Sequence, residues 1–262
     1  MKTLVMKKIL QVLNGIAFVS VVFINYLSNT GVMNGKTIGS ISDKINSLFT
    51  PAGYAFSIWG LIYLFLLGFV IYQGRSLFSK KADDEFVEKV SVWFIISCIA
   101  NSVWVFSWIY GFTGLSCVFI FLLLFSLLKI IVNNNIQLET VKSSKLLFVV
   151  LPFTIYSGWV TVASVANVSS FLVKINWDGF GFSDAFWTII MIVIAVIINS
   201  IVLYKRKMYA FALVAVWALI AIGVANKAKE NSIDLIAFIG ATDLLLFTVF
   251  LYLQNKKKPK TA

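Results

Sequence analysis

Eight apolar stretches separated by mostly short polar connections dominate this chain and leave it few ways to fold. They run over residues 9–27, 52–72, 91–110, 115–132, 146–172, 184–204, 208–226 and 233–253. At about 1.5 Å of rise per helical residue, each is long enough to cross a hydrocarbon layer of roughly 30 Å. In lipid every backbone N–H and C=O must be satisfied within the protein, so such stretches cross as helices. The expected fold class is therefore an all-α polytopic membrane bundle of eight transmembrane helices.

The cations support that count. With the N-terminus on the inner side, seventeen of the 22 Lys and Arg residues fall in inner segments. These are Lys2, Lys7, Lys8, Arg75, Lys80, Lys81, Lys89, Lys129, Lys142, Lys145, Lys205, Arg206, Lys207, Lys256, Lys257, Lys258 and Lys260. Only Lys36, Lys44, Lys174, Lys227 and Lys229 fall outside. Cytoplasmic loops carry the excess of Lys and Arg, so both termini are expected in the cytoplasm, with the chain in the inner (cytoplasmic) membrane. Seven or nine crossings would break the alternation. The first stretch follows Lys7-Lys8 like a signal peptide, but no small-residue cleavage site follows Tyr26-Leu27, and it reads as a retained span.

Composition narrows the chemistry. Hydrophobic residues make up 60% of the chain and charged residues 13%, far from a soluble domain. The net charge of +11 sits in short loops and the tail, where orientation and anionic lipid explain it without nucleic acid. There is no histidine, which removes the commonest metal ligand and the usual neutral-pH base. Cys98 and Cys117 both lie inside apolar stretches and read as reduced packing residues. No cofactor and no catalytic constellation are expected, so the chain does not read as an enzyme.

The connections carry further signals. Gly111-Phe-Thr-Gly114 and Lys205-Arg206-Lys207 read as tight turns, and residues 74–90 as a solvated inner loop. In the outer loop 28–50, Ile38, Ile41, Ile45 and Leu48 recur at helical spacing, which predicts a short amphipathic helix at the surface or a lid. In the loop 174–183, Trp177, Phe180 and Phe182 read as interfacial anchors, and Ser183 followed by Asp184 as a helix cap. Pro51 suits the first turn of the second helix, and Pro152 is expected to bend the fifth.

Three spans carry polar and aromatic residues along one helical face. Phe56, Trp59 and Tyr63 share a side of the second, Asn101, Trp104 and Trp108 of the third, and Tyr156, Trp159, Ala163 and Asn167 of the fifth. Amides and phenols facing acyl chains are costly, so these stripes should turn inward. Two readings stay open on spacing alone. The stripes form a pocket for a flat apolar ligand, or they pack and hydrogen-bond between helices.

The segment Pro51-Ala-Gly-Tyr-Ala-Phe-Ser-Ile-Trp-Gly-Leu-Ile-Tyr63 resembles the second-helix signature of the TspO/MBR family, the tryptophan-rich sensory proteins related to the mitochondrial translocator protein. Asn101-Ser-Val-Trp104 is similar to that family's Asn-x-x-Trp in helix three. Tyr156-Ser-Gly-Trp159 with Asn167 is similar to its helix-five pattern. Tyr54 stands where the family has its first Trp, and the segment between Pro51 and Trp59 is one residue short. The resemblance covers residues 1–172, a five-helix membrane domain, and leaves 173–262 as a three-helix extension with a basic tail. It implies a porphyrin-like hydrophobic ligand held by Phe56, Trp59, Tyr63, Asn101, Trp104, Trp108, Tyr156, Trp159 and Asn167, in a sensory or translocator-like role, with the loop between the first two helices covering the pocket. The other partner is the lipid bilayer, and an oligomer is compatible with the chain.

The extension holds one anomaly. Asp243 sits at the middle of the last span with no Lys or Arg at similar depth. A carboxyl there is costly, and it reads as a proton- or cation-coupling group, a ligand contact, or a protonated structural residue. The first of these supports a second functional class, a secondary transporter of a small amphipathic solute.

Overall fold

The computed structural model describes residues 2–45, 47–79, 85–138, 141–227 and 229–257. Regular structure among them is entirely helical. Helix α1 (Lys2–Asn29) is followed by the short α2 (Ile38–Lys44). A 3-10 turn (Gly53–Ser57) then runs directly into α3 (Ile58–Phe78). After α4 (Glu85–Val90) come α5 (Trp93–Ile109) and α6 (Thr113–Asn133). Helix α7 (Ser143–Lys145) continues through a π turn (Leu146–Val150) into α8 (Leu151–Lys174). The last three are α9 (Asp184–Arg206), α10 (Tyr209–Asn226) and α11 (Asn231–Lys257).

Among the described residues seven helices are long and apolar enough to cross a membrane, and the protein is a multi-pass membrane protein. The remaining apolar stretch forms α5, a 17-residue helix shorter than its predicted span. Left-handed Ser91 (φ 52°) cuts it off from α4, and left-handed Gly111 (φ 78°) turns the chain into α6. Lys207, also left-handed, caps α9 and makes the turn into α10. Ser183 caps α9 as expected, its Oγ accepting from Phe186 N–H at 3.2 Å. Pro152 stands in the first turn of α8, directly after the π turn, where its missing N–H costs the helix least.

The loop 74–90 differs from its expected form. Lys80, Lys81, Asp83 and Asp84 lie outside the described residues. Phe86, Val87 and Val90 of α4, however, are fully buried, with Phe86 against Phe69 and Tyr72. Its charged face pairs Glu85 with Lys89 at 2.8 Å, which holds the Glu85 carboxyl below its usual range, and Glu88 with Lys7 of α1 at 3.3 Å. An apolar repeat of three and four hidden among charges made this segment look like a solvated loop. Lys258 and Lys260 of the basic tail also lie outside the described residues.

The connections gather at two ends of the bundle. At one, Lys7 meets Glu88, Asn133 Nδ2 donates to Lys89 O, and Arg206 Nη1 donates to Ile136 O. At the other, Asn34 Nδ2 donates to Ile109 O, and Lys174 Nζ donates to Gly111 O. Between them α8 is the most buried span, packed by α3, α6 and α10. Helix α1 lies on α3 and α5, while α9 and α11 flank α10. An amide clasp joins α1 to α3. Gln11 Nε2 donates to Gln73 O and Ser76 Oγ, and Asn14 Nδ2 donates to Gln73 Oε1 at 2.9 Å.

Helix α10 approaches α8 closely at Gly158. A Cβ there would lie 3.1 Å from Phe211 O and 3.2 Å from Phe211 Cα, both backbone atoms that have little room to yield. Gly158→Val should therefore lower stability by about 1–3 kcal/mol, the usual cost of overpacking. Gly74→Ala, with no atom within 4 Å of its new methyl, should stay within about 0.5 kcal/mol of the parent. Thermal unfolding of both variants in detergent checks the pair.

Candidate functional site

The 3-10 turn and first turns of α3 carry Phe56, Trp59 and Tyr63 toward matching stripes on α5 and α8. Trp59 is the hub. Its ring centroid lies 5.7 Å from Tyr63, 5.8 Å from Tyr156, 6.0 Å from Trp104 and 6.4 Å from Trp159. Phe56 meets Trp159 edge-on at 5.9 Å, and Trp104 stacks on Trp108 at 6.1 Å. These spacings are those of attractive aromatic pairs. The three stripes converge, and every aromatic residue in them belongs to one cluster.

The amides divide into two supports. Asn25 of α1 donates from Nδ2 to Asn101 Oδ1 at 2.7 Å, and Asn101 Nδ2 donates to the Tyr156 hydroxyl at 3.0 Å. This chain joins α1, α5 and α8, so Asn101 and Tyr156 brace the cluster from outside its cavity. Asn167 lines the cavity and accepts from Trp104 Nε1 at 2.7 Å, while its Nδ2 donates to Ser116 Oγ of α6 at 2.8 Å. Cys98 and Cys117 are both free thiols, and the Cys117 Sγ lies 3.1 Å from Asn167 Nδ2. Among the described residues no three acidic or cysteine side chains converge as a metal site would require.

The cavity itself is small, about 30 Å3, enclosed by Phe56, Trp59, Trp104, Trp108, Trp159 and Asn167 with Ser42, Thr50 and Ser170 at its edge. Helix α2 forms the lid. Its buried Ile38 and Ile41 seat on α5, and Trp108 Nε1 donates to Ile38 O at 3.2 Å. A capping box between Thr37 and Ser40 fixes where it begins. Trp59 Nε1, Trp159 Nε1 and Thr50 Oγ1 are buried and find no partner among the described residues. Unpaired buried donors are rare in folded proteins, and both indoles edge the same cavity.

On the other side of Phe56 and Trp59 lies a groove of about 550 Å3, open between α1, α2 and α3. Asn25, Asn29, Thr37 and Tyr63 line it. Phe56 and Trp59 thus line both the small chamber and the larger groove.

With this geometry set, the comparison with known families is direct: the family model for TSPO-like proteins matches residues 11–250. The chain belongs to the TSPO-like family. Neither a curated protein nor a solved structure shows significant similarity to it. The family match runs through α9 and α10 and into α11, beyond the first five spans that carry the sequence motifs. Helix α10 also holds the segment that precedes α3. Ala52 N–H donates to Ala221 O at 3.0 Å, Asn226 Nδ2 to Leu48 O at 2.9 Å, and Trp217 Nε1 to Ala55 O at 3.3 Å. These three bonds clamp the segment that leads into Phe56. Tyr54 packs on Trp217, with ring centroids 5.2 Å apart.

Sequence reasoning did not pick out Asn25, Ser42, Thr50, Trp217 or Asn226. Asn25 was visible as a lone amide in an apolar run. The others sit in loops or on a helix with no matching stripe. Asp243 lies apart from the cluster. It is exposed at mid-length on α11, which packs on α9 and α10. A double-mutant cycle of Trp104→Phe with Asn167→Ala should give a coupling of about 0.5–1.5 kcal/mol in unfolding free energy, as for other hydrogen bonds between membrane helices.

Proposed function

We propose that this TSPO-like protein binds a flat, largely hydrophobic molecule of the porphyrin class between α1, α3, α5 and α8, in a sensory or translocator-like role. The observation that carries the reading is the pair of buried indole donors, Trp59 and Trp159, left without acceptors at a cavity walled by rings. A ligand with polar acceptors on an aromatic frame satisfies both while stacking on the walls.

The chamber of about 30 Å3 holds little more than a water molecule. Ligand sites are commonly about 300–1,000 Å3, the range of the adjoining groove. The binding volume is therefore the two spaces together, joined when Phe56 moves. Phe56 suits that movement, since its side chain is only partly buried and rotates about its own χ angles while the backbone of its 3-10 turn stays held. The groove is bordered by Val22, Asn25, Tyr26 and Asn29 of α1, so an apolar ligand can reach it past that helix.

We further propose eight crossings with both termini cytoplasmic, in the cytoplasmic membrane. α5 runs along α6 after the tight turn at Gly111, which supports a crossing for it as well, and the basic residues concentrate at the end that holds Lys7, Arg75 and Lys145. No catalytic role is proposed.

Protoporphyrin titrated into the full-length protein in nanodiscs should quench tryptophan emission saturably. Trp59→Phe and Trp159→Phe, each keeping a ring but losing a donor, should weaken affinity about three- to tenfold. Phe56→Ala should speed association. Quenching that never saturates, or affinity untouched in the Trp59→Phe/Trp159→Phe double variant, would overturn the reading.

A further inference from the structure

A second, separate cavity of about 320 Å3 lies between the C-terminal end of α8 and the N-terminal end of α9. Trp177 and Trp187 form two of its walls, their ring centroids 5.3 Å apart and tilted by 50°. Asp184, Asn176, Thr188 and Ser169 supply its polar groups. No lysine or arginine lines it.

Each component has a defined state. Trp187 Nε1 donates to Gly179 O at 2.8 Å, so the indole's only hydrogen-bond donor is occupied and its ring is held in place. Gly179 permits that contact. It adopts a left-handed φ of 64°, and a Cβ there would lie 3.2 Å from Trp187 Nε1. Asp184 stands in the first turn of α9, and its carboxylate carries no salt bridge among the described residues. Ser169 Oγ is already paired with Ser47 Oγ at 2.8 Å.

Two indoles beside an aspartate side chain, with no Lys or Arg among them, disfavour anions and attract a positive group through both the ring quadrupoles and the carboxylate. The polar residues disfavour a purely apolar tail. The site lies at the ends of two spans, at the depth of lipid headgroups.

We propose that this cavity is an organic-ammonium site, taking a quaternary or primary ammonium from a zwitterionic lipid headgroup or from a free solute. The site is independent of the aromatic chamber under α2, being formed by other residues on α8 and α9.

The test uses the full chain in nanodiscs, titrated with tetramethylammonium chloride against sodium chloride at equal ionic strength, followed by tryptophan emission. In phosphatidylglycerol nanodiscs, which carry no ammonium, the wild type should give a saturable change specific to tetramethylammonium. Asp184→Asn and Trp187→Leu should each weaken it about five- to tenfold, and Asp184→Glu should restore most of the response. Asn at 184 leaves the Ser183 cap in place, and a wild-type melting temperature verifies the fold. In phosphatidylcholine nanodiscs, a weakened response supports the headgroup as occupant, and an unchanged midpoint supports a soluble ammonium. No saturable change in either lipid, or an Asp184→Asn protein that melts and responds like wild type, would overturn the proposal.

Discussion

The hydrogen bonds from Asn25 to Asn101 and from Asn101 to Tyr156 hold the site in register. A side-chain amide in a membrane must find its partners inside the protein, and Asn101, fully buried, can use both ends of its amide only if α1 and α8 are both in place. That requirement fixes the rotation of three helices about their axes. Once they are fixed, the apolar side chains between them have little choice: Trp59 is delivered among Tyr156, Trp104 and Trp159, and Trp104 to Asn167. The polar pairs set orientation, and the rings occupy the space that orientation leaves.

The C-terminal helices act on the same site from behind. Because α10 crosses α8 closely at Gly158, its far end reaches the segment before α3 and accepts or donates three hydrogen bonds there. A chain ending after α8 would leave Leu48 O and Ala55 O without these donors. Helix α10 is therefore coupled to the segment that leads into Phe56, where Tyr54 packs on Trp217.

The class of fold was legible because lipid imposes one rule on every span, and length, hydropathy and the sorting of Lys and Arg report it directly. The stripes were legible for a similar reason: Trp59, Trp104 and Trp159 fall at helical spacing with polar neighbours, and the family motifs order them. Contacts made by loops and by helix ends were not. Nothing local to Asn226 indicates Leu48 as its acceptor, 178 residues away. Helix α4 was hidden because its buried Phe86, Val87 and Val90 are scattered among charges that dominate the local composition. Asp243 stood out by charge alone, yet it lies on the exposed side of α11 and does not join the aromatic cluster. Chamber size was also beyond the sequence, since a cavity of about 30 Å3 depends on the placement of Phe56 to within an ångström or so.

The central claim is that the rings around Trp59 form a ligand chamber which enlarges on binding. Fluorine NMR of 5-fluorotryptophan-labelled protein in nanodiscs addresses it residue by residue. On addition of protoporphyrin, the resonances of Trp59, Trp104 and Trp159 should shift together and saturate at one concentration, while that of Trp93, packed against Phe125 on the α5–α6 pair, stays in place. Three unmoved resonances at saturating ligand, or an equal shift at Trp93, would contradict the account.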